Sequence, residues 1–539
     1  MGKKAYPVLN TKNKKHSFTL KIIKELLLLT LGAVLFSLSF PSYISKWGFF
    51  PLAFFALIPV FIVIHKSRWT SIFLYGIFFG FVSYALFNFW LAKFHPLTLL
   101  IVPPIYSFYF LLVFPMLKAA DSAFPKNGYI LQSLIWVAYE YLRTKGFLGY
   151  SYGNMGYSQY LFTPLIQIAD LTGVWGISLL VVFPSAYLGH VLQEGFKEGL
   201  KKRIKENAIP GFMFAVIFIG VLVYGFIDRA DYSGSHYWKT ALIQQNVDPW
   251  KGGTKPYETS LNILLRLSRE AVLKNPDIVI WSETSFVPGI DWHTRYRTDI
   301  DKYLLVKRLV DFLKKQKQPF VIGNDDGQLE KNENGKEVRV DYNATVLYEK
   351  GKIVETYRKL HLVPFTEYFP FKKTLPRIYD WLVNADTHFW KKGKKYTVFN
   401  ADGVKFSTPI CFEDTFGNLC RNFVKRGADI IVNMTNDSWS YSVAAEMQHM
   451  NMAVFRAVEN KRTVVRSTNG GITCSIDPNG KILHFLKPFT ESYLISSVPV
   501  YNGRETLYTR WGDWFAILIV ILASCGVVLS LLRLFRKKN

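Results

Sequence analysis

Apolar residues crowd into residues 20–228 and 512–534, whereas 232–508 alternates short apolar runs with polar stretches. Crossing the hydrocarbon core of a bilayer takes roughly 20 mostly apolar residues in a helix. The pattern predicts spans at 20–40, 49–65, 71–92, 97–117, 128–143, 163–190 and 209–228, and an eighth at 511–533. No small-residue cleavage site follows the first, and six further spans do, so it reads as an uncleaved helix rather than a signal peptide. The expected organisation is a basic tail (1–19), a seven-span membrane domain (20–228), a globular domain (232–508), an eighth helix (511–533) and a second basic tail (534–539).

Within the globular part the period changes from element to element. "KTALIQQN", "DIVIWSE", "PFVIGNDD" and "ADIIVNMTND" read as strands, and "ETSLNILLRLSREAVLKN", "DKYLLVKRLVDFLKKQ" and 444–460 as helices. "ATVLYEKGKIVETYRK" predicts a hairpin turning at Glu349-Lys350-Gly351, and "TVVRSTNG" with "GITCSIDPNGKIL" a pair turning at Asn-Gly. "GVKFSTPICFED" is a strand entering a turn, and "GNLCRNFVKRG" a helix ended by glycine. Repeated β-α-β units with added hairpins predict an α/β domain of layered sheets with helices outside.

The 539 residues carry a formal charge of +25, and where that charge falls changes the picture. Lys and Arg cluster in the N-terminal tail, in loop 64–70 (Lys66, Arg68), in loop 191–208 (Lys197, Lys201, Lys202, Arg203, Lys205) and in the C-terminal tail. Eight spans put all four segments on one side, the cytoplasmic one. Loops 41–48 and 93–96, with one Lys each, fall opposite, and the globular domain follows the odd seventh span to the outside. The positive balance is thereby explained by topology and anionic lipid rather than by nucleic acid. Four cysteines (Cys411, Cys420, Cys474, Cys525) show neither a disulfide framework nor zinc spacing, and a Cys420–Cys474 bridge stays open.

Polar residues gather at strand ends, where open α/β folds place their chemistry. Glu283 ends "IVIWSE", Lys359 and Glu367 follow the hairpin, Cys411 and Glu413 sit in the turn after "VKFSTPI", and Asn436, Asp437 and Trp439 follow "IIVNMT". A thiol is nucleophilic as a thiolate, so it needs a neighbouring base or cation. A carboxylate supplies the base, and an ammonium group steadies the anion and a later oxyanion. Spacing alone leaves the bland alternatives open: a packed cysteine, a capping glutamate, a surface lysine. Glu140 and Arg143, near the end of the fifth span, read as a local pair at i,i+3, and His361 as a structural histidine rather than half of a Cys–His dyad.

The segments "WSETSFVP", "YRKLHLVPFTEYFPF", "TPICFED" and "VNMTNDSWS" resemble, in order, the motifs of the nitrilase superfamily. With spans on both sides, the chain is similar to that superfamily's integral-membrane branch, the apolipoprotein N-acyltransferases. "WVAYEYLRTKGFLGYSYGNMGYSQ" (136–159), "LTGVWGISLL", "QQNVDPWK" and "MAVFRAVENKRTVVRSTNGGIT" extend the likeness from about residue 20 to 533. The resemblance implies a layered α-β-β-α sandwich beside a helical membrane domain. It also implies a catalytic set of Glu283 as base, Lys359 as oxyanion-stabilising cation and Cys411 as nucleophile. Glu367, Glu413, Phe412 and Trp439 would support them. The implied reaction is acyl transfer from a phospholipid, through a cysteine thioester, to the α-amine of a diacylglyceryl-lipoprotein, by a monomer of the bacterial inner membrane without metal, cofactor or nucleic acid. Two features depart from the family pattern: Ser-Trp-Ser after Asp437, and Phe412 where Tyr is usual. Loops 286–292 and 369–384 are candidate lids. A membrane-tethered amidase and a transporter carrying an inactive enzyme fold are the competing readings; the number of spans argues against the first and the intact Glu–Lys–Cys set against the second.

Overall fold

The computed structural model describes residues 9–94, 98–193, 199–248, 251–332, 334–384 and 387–537. Of the positions used above, parts of the two basic tails (1–8 and 538–539), Lys197 and residues 95–97 and 249–250 lie outside them. The chain divides into two compact units, one of residues 1–140, 178–219 and 516–539, the other of residues 141–177 and 220–515.

The first unit is a multi-span α-helical membrane domain. Among the described residues five helices are long and apolar enough to cross a bilayer: Trp69–Phe87, Thr98–Ala123 (with a break near Phe108), Val174–Leu192, Ala208–Ile227 and Trp514–Arg536. The other three expected spans take different forms. The helix Leu9–Leu38 is continuous but carries Lys21, Lys24 and Glu25. Phe50–Phe54 is a 3-10 turn leading into the nine-residue helix Ile58–Lys66, and Gly128–Arg143 has only 16 residues. The expected span 163–190 starts later, because Gly173 at φ +64° separates two short helical turns from the helix beginning at Val174. Helix packing without a solvent-driven hydrophobic effect relies on close approach. Gly76 supplies it: a β-carbon there would stand 2.4 Å from the Phe110 carbonyl oxygen. Around that contact Phe79, Phe110, Phe114, Trp136 and Tyr139 form an aromatic core with centroids 4.9–6.2 Å apart.

The second unit holds two six-stranded sheets. One has the order β12-β1-β2-β3-β4-β5, with β1 His236–Gln244, β2 Ile278–Ile280, β3 Phe320–Lys331, β4 Glu337–Glu349, β5 Lys352–Arg358 and β12 Ser492–Val500. The other runs β11-β10-β9-β8-β7-β6, with β6 Phe399–Ala401, β7 Val404–Ser407, β8 Ile430–Thr435, β9 Thr463–Thr468, β10 Cys474–Ile476 and β11 Ile482–Phe485. Parallel pairing at β1–β2–β3 and β7–β8–β9 is flanked by antiparallel hairpins. The central strands are buried on both faces, which is why they read as unbroken apolar runs. Leu242, Ile280, Val321, Phe406, Val432 and Val465 fill the layer between the sheets. On the outer face of the first sheet, helices Thr254–Val272 and Ile300–Leu313 cover Ile243, Val279 and Phe320. The result is the expected α-β-β-α sandwich.

The strand expected at 471–483 is two, β10 and β11, paired antiparallel about a turn at Asp477–Lys481, and two further strands lie outside the expected elements. β6 is three residues long and joins β7 through Asp402-Gly403, both at positive φ, a hairpin dipeptide that was there to be read. β12 lies far from its partner β1 in the chain, and its register is fixed only by tertiary pairing.

The helix Val443–Asn460 is buried along nearly its whole circumference, charged residues included. Residues 141–177 provide its outer cover: Tyr157 Oη accepts a bond from Arg456 (3.0 Å), and Gln167 Oε1 one from Lys461 (2.7 Å). Hydropathy assigns this stretch to the membrane part, yet it folds as 3-10 and short α turns within the α/β unit. Cys420 and Cys474 are buried and unbridged.

Candidate active site

The strand ends converge on one cluster. Lys359, one residue past β5, is fully buried, and its Nζ donates to Glu283 Oε1 (3.0 Å) and Glu367 Oε1 (2.7 Å). Asn343, in the middle of β4, donates to Glu283 Oε1 (2.8 Å) and more weakly to Glu367 (3.3 Å). The second oxygen of Glu283 accepts the Asn436 backbone N–H (3.0 Å), and that of Glu367 the Val363 N–H (2.7 Å). Glu283 reaches this position because β3 lets its segment lie flush. A β-carbon at Gly323 would sit 2.1 Å from the Ser282 oxygen.

Cys411 opens the 3-10 turn Cys411–Thr415 with φ at +53°, a left-handed conformation that disfavours a side chain, and packs against the core between the sheets. It is half-buried, and its carbonyl accepts from Asn433 Nδ2 (2.9 Å). Two residues on, the fully buried Glu413 carboxylate accepts from the N–H groups of Ile410 (2.7 Å), Leu360 (2.7 Å) and His361 (2.8 Å) and from Tyr357 Oη (2.9 Å). Glu413 therefore fastens the cysteine turn to the segment that carries Lys359. Phe412 lays its ring 5.6 Å from Lys359 Nζ and 5.4 Å from His361. Trp439 lies half-buried in the 3-10 turn Ser438–Ser440 after β8.

Electrostatics assign protonation states. Burial disfavours charge on Lys359, but the carboxylates of Glu283 and Glu367 outweigh it and hold the ammonium well above its usual range. Burial and then the charge of Glu283 push the Cys411 thiol well above its ordinary value, against the pull of Lys359. The resting group is thus a thiol that needs a base at the moment of attack. Burial also raises Glu367, and brings Glu413 to about 7. His361 is depressed to about 4 by burial and by Lys392 and Lys359; packed against Phe416 at 4.3 Å, it is a neutral wall.

Several partners carry no mark in the sequence: Asn343, and Asp414, His449 and Arg466, which form a buried group beside the turn together with the strand-end residue Asp437. Glu140 and Arg143 bond to groups other than each other. Glu140 accepts from Trp136 (3.1 Å) and Ser178 (2.6 Å), whereas Arg143 donates to the Tyr152 carbonyl (2.8 Å) and Asn154 (2.6 Å). Of the two candidate lids, 286–292 turns inward on Phe286, Ile290 and Trp292. The other carries the helix Pro376–Asn384, with no buried residue.

Residues 32–187 match the apolipoprotein N-acyltransferase N-terminal domain, and residues 222–507 match the carbon-nitrogen hydrolase family. Apolipoprotein N-acyltransferase 1 of Treponema denticola is 43% identical, covering 98% of this chain and 99% of that protein. Its namesake in Treponema pallidum is 39% identical over 94% of this chain and 96% of the relative. Among solved structures, a variant of a Nesterenkonia AN1 amidase from the nitrilase superfamily aligns with 53% of this chain and 96% of its own, at 17% identity and a TM-score of 0.37. The chain belongs to the apolipoprotein N-acyltransferase family, an enzyme family that joins a helical membrane domain to a carbon-nitrogen hydrolase domain.

Proposed function

We propose that this protein transfers an acyl chain from a phospholipid to the α-amine of a diacylglyceryl-cysteine lipoprotein, with Cys411 as the acyl carrier. The observation that carries this reading is the buried ammonium of Lys359, held between Glu283 and Glu367 beside a cysteine in a left-handed turn. Glu283 takes the thiol proton, and the thiolate attacks the sn-1 ester carbonyl. Lys359 Nζ and the backbone N–H of Phe412 receive the tetrahedral oxyanion; losing one such donor costs about 10²–10³-fold in rate. Collapse expels the lysophospholipid alkoxide, which takes the proton from Glu283 and leaves a thioester. The incoming amine then attacks, gives its proton to Glu283, and the thiolate departs and is reprotonated. Glu367 keeps Lys359 in place, Glu413 keeps the turn in place, and Trp439 borders the acyl entrance. The cycle balances without metal or cofactor.

Eight spans, both termini cytoplasmic and the α/β unit outside the bacterial inner membrane agree with the Lys and Arg distribution, and the unit of action is a monomer with no nucleic-acid partner. Mass spectrometry of the purified protein mixed with phospholipid alone tests the chemistry. A gain of one acyl chain on Cys411, lost in Cys411→Ala, is expected; a wild-type protein that never gains it overturns the scheme. Adding a diacylated lipopeptide then distinguishes transfer from hydrolysis.

A further inference from the structure

The reaction scheme uses the carboxylates around Lys359 but leaves unexplained a second buried group on the other side of the cysteine turn. His449, in the helix Val443–Asn460, places Nε2 2.8 Å from Asp414 and Nδ1 2.9 Å from Asp437. Arg466 of β9 touches the same two carboxylates, Asp414 closely and Asp437 at 3.4 Å. All four side chains are buried. Both nitrogens of the imidazole face an acceptor, so the ring spans the two carboxylates as a rigid strut. Burial opposes its charge, but Asp437 and Asp414 prevail and raise it to about 9.

The two ends of that strut lie on the two segments the chemistry needs to hold in register. Asp414 belongs to the turn Cys411–Thr415 that carries the thiol. Asp437 adjoins Asn436, whose N–H grips Glu283 Oε2 (3.0 Å), and Asn436 Oδ1 is steadied by Asn469 (3.0 Å). Asp437 is also fixed by Thr435 Oγ1 (3.0 Å). A continuous path thus runs along the chain and these bonds from Cys411 through Asp414, His449, Asp437 and Asn436 to Glu283. Arg466 spans the same two carboxylates, but its link to Asp437, at 3.4 Å, is longer than the imidazole's 2.9 Å.

We propose that His449 is a positioning residue that locks the nucleophile's turn to the anchor of its general base. The inference rests on the reading of Cys411 and Glu283 given above. His449 touches neither substrate nor the reacting atoms; it acts through Asp414 and Asp437.

The test is single-turnover acylation of the full-length protein in micelles containing palmitoyl-oleoyl phosphatidylethanolamine, followed by intact-protein mass. For His449→Gln, which cannot span both carboxylates, the maximal acylation rate should fall about 10²-fold, the loss expected when reacting groups drift by about 1 Å. The lipid concentration at half-maximal rate should not change, which separates lost alignment from lost binding. Removing the cation leaves excess buried negative charge, so the pair Asp414→Asn with His449→Gln restores charge balance without restoring the strut. It should fold with a melting temperature near wild type and stay slow. Acylation of His449→Gln at the wild-type rate overturns the proposal. So does recovery in the charge-balanced pair, or loss of the folded protein in both variants, because either outcome assigns His449 to stability alone. A wild-type protein that gains no acyl mass refutes the Cys411 reading and this inference with it; failure confined to His449 appears instead as equal rates in two acylating proteins.

Discussion

Glu413 shows how one side chain can set a site without touching substrate. Its carboxylate closes three backbone N–H groups and a tyrosine hydroxyl that burial would otherwise leave unpaired. Each unsatisfied group costs about 1–3 kcal/mol, so Glu413→Ala should lose about 3 kcal/mol or more in chemical denaturation, and Glu413→Gln less. Titration of His449 gives a second residue-scale prediction. Its folded value of about 9 lies above the unfolded 6.5, so the folded state binds the extra proton. The stabilisation is complete below pH 6.5 and drains away as pH rises through about 9. Asp414, Asp437 and Arg466 face the ring directly, Tyr152 lies 6.2 Å away, and Glu446 lies behind Asp437, raised by burial and by Asp437's charge. The melting temperature measured from pH 6 to 10 should fall at the alkaline end, and His449→Gln should flatten that limb. Glu283, Lys359 and Cys411 stand out as candidates in the sequence because each closely follows a strand in a motif of fixed order. His449 was not: its partner Asp414 is 35 residues away, and a histidine in an amphipathic helix carries no local mark of burial.

At the scale of elements, strands and helices were largely legible because their periods differ, and the misses have physical causes. β4 begins at Glu337, earlier than the apolar run, because it pairs along the whole length of β3 through alternating polar positions. The helix Val174–Leu192 starts late because Gly173 breaks the chain direction where hydropathy sees continuity. Two elements invite measurement. Gly323→Ala should displace the Glu283 segment from β3 and lower the acylation rate by at least tenfold, with little change in lipid affinity, in the same mass assay. The helix Pro376–Asn384 exposes Leu375 just before it and Trp381 at 67%. An amphipathic segment of this kind suits the bilayer interface. Replacing both residues with Ser should weaken acylation from membranes while leaving the circular dichroism unchanged; unaltered turnover would remove the lid from the account.

For the whole molecule, the positive-inside pattern predicts sidedness. With Cys411→Ala as background, a membrane-impermeant maleimide should label Lys331→Cys in spheroplasts, and Lys12→Cys only after lysis; the opposite pattern would invert the topology. The cover over the helix Val443–Asn460 has a consequence of another kind. Residues 141–177 leave the ribosome roughly 270 residues before the helix they enclose, so at about 5–20 residues per second they wait some tens of seconds for it. During that interval Tyr157 and Gln167 have no Arg456 or Lys461 to meet. Biosynthesis therefore passes through a state in which the membrane helices made so far can insert while the cover stays open, and the site proposed around Cys411 is completed only near the end of translation. A nascent chain stalled before residue 443 should be inert toward phospholipid, however complete its Glu283, Lys359 and Cys411.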